Sequence, residues 1–241
     1  MTKQTGLGDC LLVGGVDLSG DTTSIDKVGG GPSAIECTGI DKSGMERLGG
    51  LVDGGIDWTS WWNPTGAHPV LSELPDTSAV VAYSRGLGLG LPGAAILAKR
   101  VTYDPKRAND GALTMSVTSQ CADGYPLSWG TQATPGIRTD ITGGNGVALD
   151  NGASSNNGLI AHLSVLGVTG TSVTVKLQDS PDNAAWTDVT GGGFAAATGA
   201  GGQRIETATG LTVERYLRVV TSGTFTEAVV HVIVERRVDT P

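Results

Sequence analysis

A glycine-rich segment offers the first candidate chemistry, because Gly88-Leu89-Gly90-Leu91-Pro92-Gly93 has the G-x-G-x-x-G spacing of dinucleotide-binding loops. It follows a predicted strand at residues 79–84, and Asp110 lies about 20 residues further on, as in that fingerprint. The fingerprint also needs a helix after the third glycine, with its N-terminus facing the pyrophosphate. Residues 94–103 instead pass into β-type residues, and the sequence shows no parallel βαβ pattern. We therefore predict a flexible glycine loop here and no bound cofactor.

Metal binding and acid–base catalysis would draw on the three histidines, His68, His162 and His231. They are far apart in the sequence, and none lies in an H-E-x-x-H pattern or beside a cysteine at ligand spacing. His162 and His231 fall in predicted strands, where we expect their side chains to face solvent. The histidines therefore predict no metal site.

Acidic side chains crowd one predicted turn, at Asp179, Asp182, Asn183 and Asp188. Oxygen ligands of this kind bind Ca²⁺, but the spacing of an EF-hand loop and its glycine at the sixth position are missing. Asx turns, in which such side chains accept hydrogen bonds from the nearby backbone, account for the same composition. We expect no metal ion at this turn.

Nucleophilic catalysis has no support in the sequence. The chain has no G-x-S-x-G elbow. Cys10, Cys37 and Cys121 are odd in number and lack C-x-x-C spacing, which argues against both a disulfide framework and a zinc ribbon. We predict no catalytic residues and a protein that is not an enzyme.

Three of the five tryptophans, Trp58, Trp61 and Trp62, crowd a predicted strand at residues 56–62. Side chains alternate between the two faces of a strand, so we expect Trp58 and Trp62 to share one face and Trp61 to lie on the other. If one face is core, Trp61 is either covered by a neighbouring element or exposed as an interface anchor. Trp186, beside the acidic turn, is either a core residue or a platform on which a sugar could stack.

The charge balance excludes one class of partner. The chain has 24 acidic against 16 basic residues, a net charge of −8 and a pI near 4.8, which is the wrong sign for gripping phosphate backbones. Residues 1–6 contain no apolar run, and no segment approaches the roughly 18 apolar residues of a membrane span. We expect a soluble protein with no secretion signal and no membrane partner.

Period-two alternation is the clearest structural pattern, and it predicts an all-β protein. Residues 112–121 show it best, with Leu113, Met115 and Val117 on one face and Thr114 and Ser116 on the other. Further strands are predicted at residues 10–16, 56–62, 79–84, 95–103, 159–166, 172–178, 215–220 and 228–235. The 38 glycines and 10 prolines agree with many turns. The fold class predicted is an antiparallel β-sandwich or barrel.

Helical signals are short. Ser43 and Glu46 fit a capping box, with Gly49 as a left-handed stop, and predict one or two turns of helix. Pro69 can open another short helix that Pro75 ends. We therefore expect one or two short helices, neither of which organises the fold.

A change of composition suggests a domain boundary. Residues 142–158 are mostly Gly, Asn, Ser and Ala, which is typical of a linker or a long surface loop. We predict one β domain at residues 1–145 and a C-terminal β-sandwich module at 146–241, with turns at 167–171, 180–183 and 221–223. Alternatively, the second half completes a single sandwich with the first.

Several residue strings resemble the major tail (tail tube) proteins of long-tailed bacteriophages that infect actinobacteria. The resemblance extends over nearly the whole chain. It rests on residues 8–21 (GDCLLVGGVDLSGD), 38–43 (TGIDKS), 46–51 (ERLGGL), 53–54 (DG), 63–64 (NP), 68–71 (HPVL), 103–105 (YDP), 110–111 (DG) and 127–130 (LSWG), and on 173–188 and 215–220 in the C-terminal half.

The resemblance implies a non-enzymatic virion protein whose β-sandwich protomers close into rings, usually hexameric. The rings stack into a tube through which genomic DNA leaves the capsid. The implied partners are further copies of the chain, other tail proteins, and DNA that passes through the lumen without tight binding. The implied location is the phage tail, after synthesis in the cytoplasm of the host bacterium.

The functional surface implied by such a family is an assembly interface. A head-to-tail ring contact can be supplied by exposed sheet edges, and glycine-rich segments at residues 86–93 and 143–158 can become ordered between subunits. Our interface candidates are Trp61, Gly88, Gly90 and Gly93. The acidic balance also suits a conduit that repels phosphate.

Two other functions compete with this one. A capsid-decorating or host-glycan-binding protein would use the C-terminal module around Trp186 and Asp182. An enzyme acting on a nucleotide or on the cell wall would need a motif that the sequence does not contain.

Overall fold

The computed structural model of the protein describes residues 5–73 and 78–237. About 60% of the chain is strand and 3% is helix, in an antiparallel arrangement. The predicted all-β class is therefore confirmed.

The elements follow one another with short connections. The strands are β1 (Cys10–Val13), β2 (Val16–Asp17), β3 (Thr22–Glu36), β4 (Arg47–Trp61), β5 (Ala79–Ser84), β6 (Pro92–Arg107), β7 (Leu113–Cys121), β8 (Ser128–Gln132), β9 (Arg138–Asp140), β10 (Gly144–Asn145), β11 (Leu149–Asp150), β12 (Leu159–Ser180), β13 (Thr187–Gly193), β14 (Gly201–Glu206) and β15 (Tyr216–Arg236). The helix, α1, is Ala67–Ser72.

Contacts divide the chain into two compact units. Of the described residues, the first unit takes 5–22, 79–95 and 128–237, and the second takes 23–73, 78 and 96–127. Strand β6 contributes residues to both units. The predicted boundary between residues 145 and 146 does not coincide with this division, because β10 and β11, on either side of it, both pair with β15.

The first unit is built on the antiparallel pairing of β12 with β15, which runs from Leu159 opposite Arg236 to Ser180 opposite Tyr216. Strands β13 and β14 pair with β12, while β8, β9, β10 and β11 pair with β15. One face of β12 and β15 is mainly apolar, with the buried polar side chains Asp179 and Thr221 toward one end. Its side chains form a core cluster of buried residues that includes Leu163, Val175 and Val232.

The predicted turns at residues 167–171 and 221–223 are not turns, because β12 and β15 continue through them. Register shifts interrupt the pairing near Gly167 and Gly170 instead. Gly170 and Gly223 have φ values of +139° and +127°. Glycine adopts such values readily, and β-branched residues do not. Bulges of this kind bend a strand without ending it, which allows both ends of β12 to contribute to one core cluster.

The first unit also contains a second layer, formed by β1 and β5, which pair with each other and are joined to the large sheet by pairing of β5 with β6 and of β6 with β8. The predicted strand at residues 10–16 is a tight hairpin, since Gly14 and Gly15 take φ values of +59° and +85° between β1 and β2. Strand β5 packs on the β14 side of the large sheet. A Cβ on Gly202 would lie 2.5 Å from the Cβ of Val80, so only glycine permits this approach.

The second unit contains the hairpin of β3 and β4, strand β7, most of β6, and α1. Strand β7 pairs with β4 from Gly55–Gln120 to Trp61–Thr114 and with β6 along its other edge. Helix α1 overlaps the helix predicted from Pro69, but it begins at Ala67, two residues earlier, and ends at Ser72; Pro75, the predicted end, lies outside the described residues. The Arg100 guanidinium donates to the carbonyl oxygens of Val70 and Glu73, both at 2.5 Å, and so caps the end of α1.

The predicted helix at Ser43–Glu46 is wrong. These residues lie in the loop that closes the hairpin of β3 and β4. The Glu46 amide donates to Thr38 Oγ1 at 3.0 Å, and the Glu46 carbonyl accepts from the Cys37 amide at 3.0 Å. A capping box would place Glu46 in the first turn of a helix. Its backbone amide and carbonyl instead bond across the hairpin.

The glycine-rich segment at residues 142–158 is not a free linker. Part of it lies along β15, where Gly146 donates its amide to the Val219 carbonyl at 2.7 Å. The Arg138 guanidinium clamps this region, because it donates to Val219 O at 3.0 Å and to Asp140 Oδ1 at 2.8 Å. Both partners of this ion pair are 11% exposed.

We expect Leu163→Ala to lower the free energy of unfolding by about 2–5 kcal/mol, because Leu163 is fully buried in the core cluster and its truncation leaves a cavity. Urea denaturation measures the change. The control is Val147→Ala, at a position 62% exposed, which should change stability by less than about 0.5 kcal/mol. Equal effects of the two variants would contradict the placement of this core.

We expect Arg138→Ala to lower the free energy of unfolding by about 3 kcal/mol, because it leaves the Asp140 carboxylate buried without its cation. Limited proteolysis should then cut within residues 141–147. The matched control is Arg215→Ala, which breaks the half-exposed ion pair with Asp150 and should cost less than about 1 kcal/mol. An Arg138→Ala protein as protease-resistant as the wild type would show that the clamp does not order the segment.

Candidate assembly surfaces

The hairpin of β3 and β4 extends beyond the strand that supports it. Strand β7 pairs with β4 only from Gly55 onward, so residues 47–54 have β3 as their strand partner. No residue of β3 is buried, and none of the first seven residues of β4 is buried. The outer part of the hairpin is thus a two-stranded ribbon with solvent on both faces.

This ribbon exposes several large apolar side chains to solvent. Its exposed large apolar side chains, which we call the ribbon surface, are Ile35, Ile40, Met45, Leu48, Leu51 and Val52. Leu51 is 89% exposed and Leu48 is 60% exposed. A two-stranded ribbon is at best marginally stable alone in water. Strand alternation places Leu48 and Val52 on one face and Leu51 on the other, so that apolar side chains are exposed on both faces of the ribbon. The ribbon surface is therefore suited to burial against a partner.

Trp61 lies at the end of β4 and is 48% exposed, so it is not covered within the second unit. Trp58, three residues earlier, is fully buried. Trp62 does not share the buried face of Trp58, because β4 ends at Trp61 and the Trp62 ring turns toward His68, with ring centroids 5.2 Å apart. Of the two alternatives left by the sequence, the structure shows an exposed Trp61.

The glycine loop at residues 86–93 does not hold a nucleotide-binding helix, since β6 begins at Pro92. The Gly90 amide donates to the Gln132 carbonyl at 2.9 Å, and Gly90 needs its φ of +77°. A Cβ on Gly93 would lie 2.9 Å from Ile233 Cδ1. Gly88 accepts the Leu91 amide within a tight turn. Turn geometry and close packing within the first unit therefore explain the glycine at each of these three positions.

The glycine loop exposes two leucine side chains to solvent. Leu87 is 54% exposed and Leu91 is 42% exposed. The glycines of this loop were predicted as interface residues, and the exposure of the leucines between them was not predicted. The signal available was an apolar residue at alternate positions of a loop predicted to be at the surface.

The prediction that His162 and His231 face solvent is wrong. Both side chains are buried, because β5 covers the face of the sheet on which they lie. Burial lowers the pKa of His162 to about 3, with a smaller contribution from the nearby Arg204, and it lowers the pKa of His231 to about 4. Both imidazoles are thus neutral at pH 7.

The acidic residues around the predicted turn are each engaged with the protein. Asp182 accepts from the Ala184 and Ala185 amides at 2.9 Å, an Asx arrangement that lowers its pKa. Asp188 accepts from Lys176 and Gln178. Within residues 5–73 and 78–237, no three His, Cys, Asp or Glu side chains are placed to share a metal ion.

Trp186 is partly exposed and stacked. The Arg218 guanidinium carbon lies 4.2 Å from the indole centroid, and Arg218 also donates to Gln178 Oε1 at 2.7 Å. One face of the indole is therefore occupied by a cation, which leaves less of it for a sugar. Trp186 is not a core residue.

No helix among the described residues is long and apolar enough to cross a membrane.

Comparisons with known proteins give little. No family model matches the chain, and no curated protein matches it. Among solved structures, one that is similar is the crystal structure of the SPP1 Dit (gp 19.1) protein, described as a paradigm of the hub adsorption apparatus in phages that infect Gram-positive bacteria. The two share 10% sequence identity at a TM-score of 0.36, over 95% of this chain and 99% of the other. A likeness of this degree is too low to establish a shared fold.

Proposed function

We propose that the protein is a structural subunit of a bacteriophage tail, namely the tail tube protein, and that self-assembly is its activity. The observation that carries the proposal is the two-stranded ribbon of β3 and β4, whose apolar side chains have no cover in the second unit. The resemblance of the sequence strings to tail tube proteins supplies the identity of the partner, which is a further copy of the chain.

A ring forms when one surface of a subunit contacts a different surface of the next. The chain presents two such surfaces, the ribbon surface and the exposed leucines of the glycine loop, Leu87 and Leu91. The backbone groups along the free edge of β3 add a site for pairing with another strand. Six copies close the ring in this proposal, and rings then stack into a tube that joins other tail proteins.

The charge balance supports a conduit. With a net charge of −8 per chain, a wall of such subunits repels DNA phosphates, so that DNA passes during ejection without binding. The protein acts in the virion and catalyses no reaction in this proposal.

Electron microscopy of the purified protein is the direct test. We expect rings or tubes, and we expect antibody labelling of virions to mark the tail. Labelling of the capsid shell would favour a decorating protein, and a protein that stays monomeric at all concentrations would contradict self-assembly.

We expect the double variant Leu48→Asp, Leu51→Asp to remain folded and to form no rings, because both side chains are exposed in the free chain and charge opposes their burial in a contact. Light scattering measures assembly, and urea denaturation checks the fold. The matched control, Ile141→Asp, Val147→Asp, adds the same two charges at apolar positions 76% and 62% exposed outside both surfaces and should assemble. Normal assembly of the double variant would exclude the ribbon surface.

We expect Trp61→Ala to raise the concentration needed for assembly at least tenfold, because truncation of an interface tryptophan costs about 2 kcal/mol or more, and about 1.4 kcal/mol corresponds to tenfold. The control is Trp129→Ala, since Trp129 is also 48% exposed but lies in the first unit. Sedimentation over a concentration series gives the comparison. Equal shifts for the two variants would remove Trp61 from the candidate interface.

A further inference from the structure

The sheet of β14, β12 and β15 has two buried faces of different chemistry. On one face lies the core cluster, in which every side chain is apolar. On the opposite face lie His162, Ser164 and His231, which are 2%, 1% and 1% exposed. The second face therefore contains buried imidazoles that can take up a proton, and the apolar cluster on the first face contains no such group.

Strand register places the two imidazoles side by side. Ser164 lies opposite His231, while His162 lies opposite Ile233 on β15 and opposite Arg204 on β14. Directly opposed residues of antiparallel strands share a face, and diagonal neighbours are within reach of long side chains. His162 and His231 are such a diagonal pair.

Strand β5 covers this pair. Ser84 Oγ lies 3.2 Å from His231 Nε2, and Gln132 Oε1 lies 3.4 Å from the same nitrogen. Val80, near the other end of β5, fills the space left by the absent side chain of Gly202. The histidines are thus enclosed between β5 and the large sheet.

The burial of the His162 side chain is not compensated by hydrogen bonds. Within the described chain, neither of its ring nitrogens has a hydrogen-bond partner, and Ser164 Oγ has none. A buried polar group without a partner costs about 1–3 kcal/mol, and a buried charge costs more. A proton added to His162 would place a cation beside Arg204 with no acceptor to receive its N–H.

Other charged groups around the interface do not neutralise such a cation. From β14 come Arg204 and Glu206, which pair with each other at 2.7 Å. From β15 come Glu235 and, just beyond it, Arg237, which bonds to Glu206. From β2 comes Asp17, whose negative charge acts to raise the pKa of His231, but the lowering of the pKa by burial is larger. The titratable side chain of β5, Tyr83, bonds to Asp9.

We propose that His162 and His231 form an acid-sensitive latch, which keeps β1 and β5 packed over β12, β14 and β15 while both imidazoles are neutral. When the imidazoles are protonated, this packing opens, and β5 stays joined to the sheet through β6. The apolar cluster on the opposite face keeps β12 paired with β15 after the opening. The latch lies within one unit of a single chain and does not depend on the proposed assembly.

The pH window follows from the two pKa values. In the closed state the pKa values of His162 and His231 are about 3 and about 4, and the ordinary value is 6.5. The open state binds more protons, so the stability that the latch contributes is complete above pH 6.5. It is lost progressively as the pH falls from there toward about 3, through the pKa values of both histidines.

Hydrogen–deuterium exchange of the full chain at about pH 7 and about pH 5, on either side of the ordinary histidine pKa, tests the proposal. After correction for the intrinsic exchange rate, peptides from β1 and β5 should exchange at least tenfold faster at the lower pH. Peptides from residues 173–177 should remain protected. Equal protection of β1 and β5 at both pH values would overturn the proposal.

Variants separate the latch from general acid destabilisation. His162→Leu and His231→Gln should each reduce the acid-induced loss of protection in β5, while His68→Gln, in the other unit, should leave it unchanged. Three equal responses would overturn the latch. If His162→Leu does not fold, His231→Gln and the proton NMR titration of the wild-type histidines decide, since ordinary titration near pH 6.5 in the closed protein would contradict the enclosure.

Discussion

The pairing of β12 with β15 is the constraint on which the first unit depends. It sets a single register from Leu159 to Ser180 on one strand, and the other strands of the sheet add to its edges. Because the side-chain period of a strand is two, a slip by one residue would exchange the two faces. That exchange would bring His162 into the apolar cluster and Leu163 under β5. The apolar alternation of both strands therefore fixes which layer can pack on which face.

Bulges near Gly167 and Gly170 allow this long pairing to enclose a core. A straight pair of strands of this length would present an apolar face too extended for its own residues to cover. The register shifts bend it, so that Leu163 and Val175 join one cluster. The glycines thus determine the shape of the sheet as well as the positions of its turns.

The sequence predicted the long strands that bury at least one face. Strand β5 was predicted with its observed bounds, and residues 112–121 closely match β7. Strand β3 was missed, because neither of its faces is buried and no apolar period results. The burial of His162 and His231 was missed for a different reason, since the strand that covers them lies far away in the sequence. Local alternation predicts a strand and cannot identify a second layer.

Of the candidate surfaces, the sequence indicated the aromatic anchor and missed the ribbon. Period two singled out Trp61 as facing away from Trp58, whereas the apolar residues of the ribbon are spaced among glycines and charges in no regular period. Residues 142–158 were predicted as a linker or a long surface loop, and the two short strand pairings with β15 within them were missed, since strand pairing through backbone groups requires no apolar side chains. Composition alone does not distinguish a linker from a segment clamped by Arg138.

The interleaving of the two units sets an order of synthesis. Residues 23–127 supply the whole of the second unit, so the ribbon of β3 and β4 is complete before β12 is translated. The first unit cannot close until β15 has left the ribosome, because β1 and β5 have no large sheet to pack on before then. A chain that ends before residue 216 keeps the ribbon and lacks the sheet. Such a fragment would expose the ribbon surface without the apolar core cluster of the first unit.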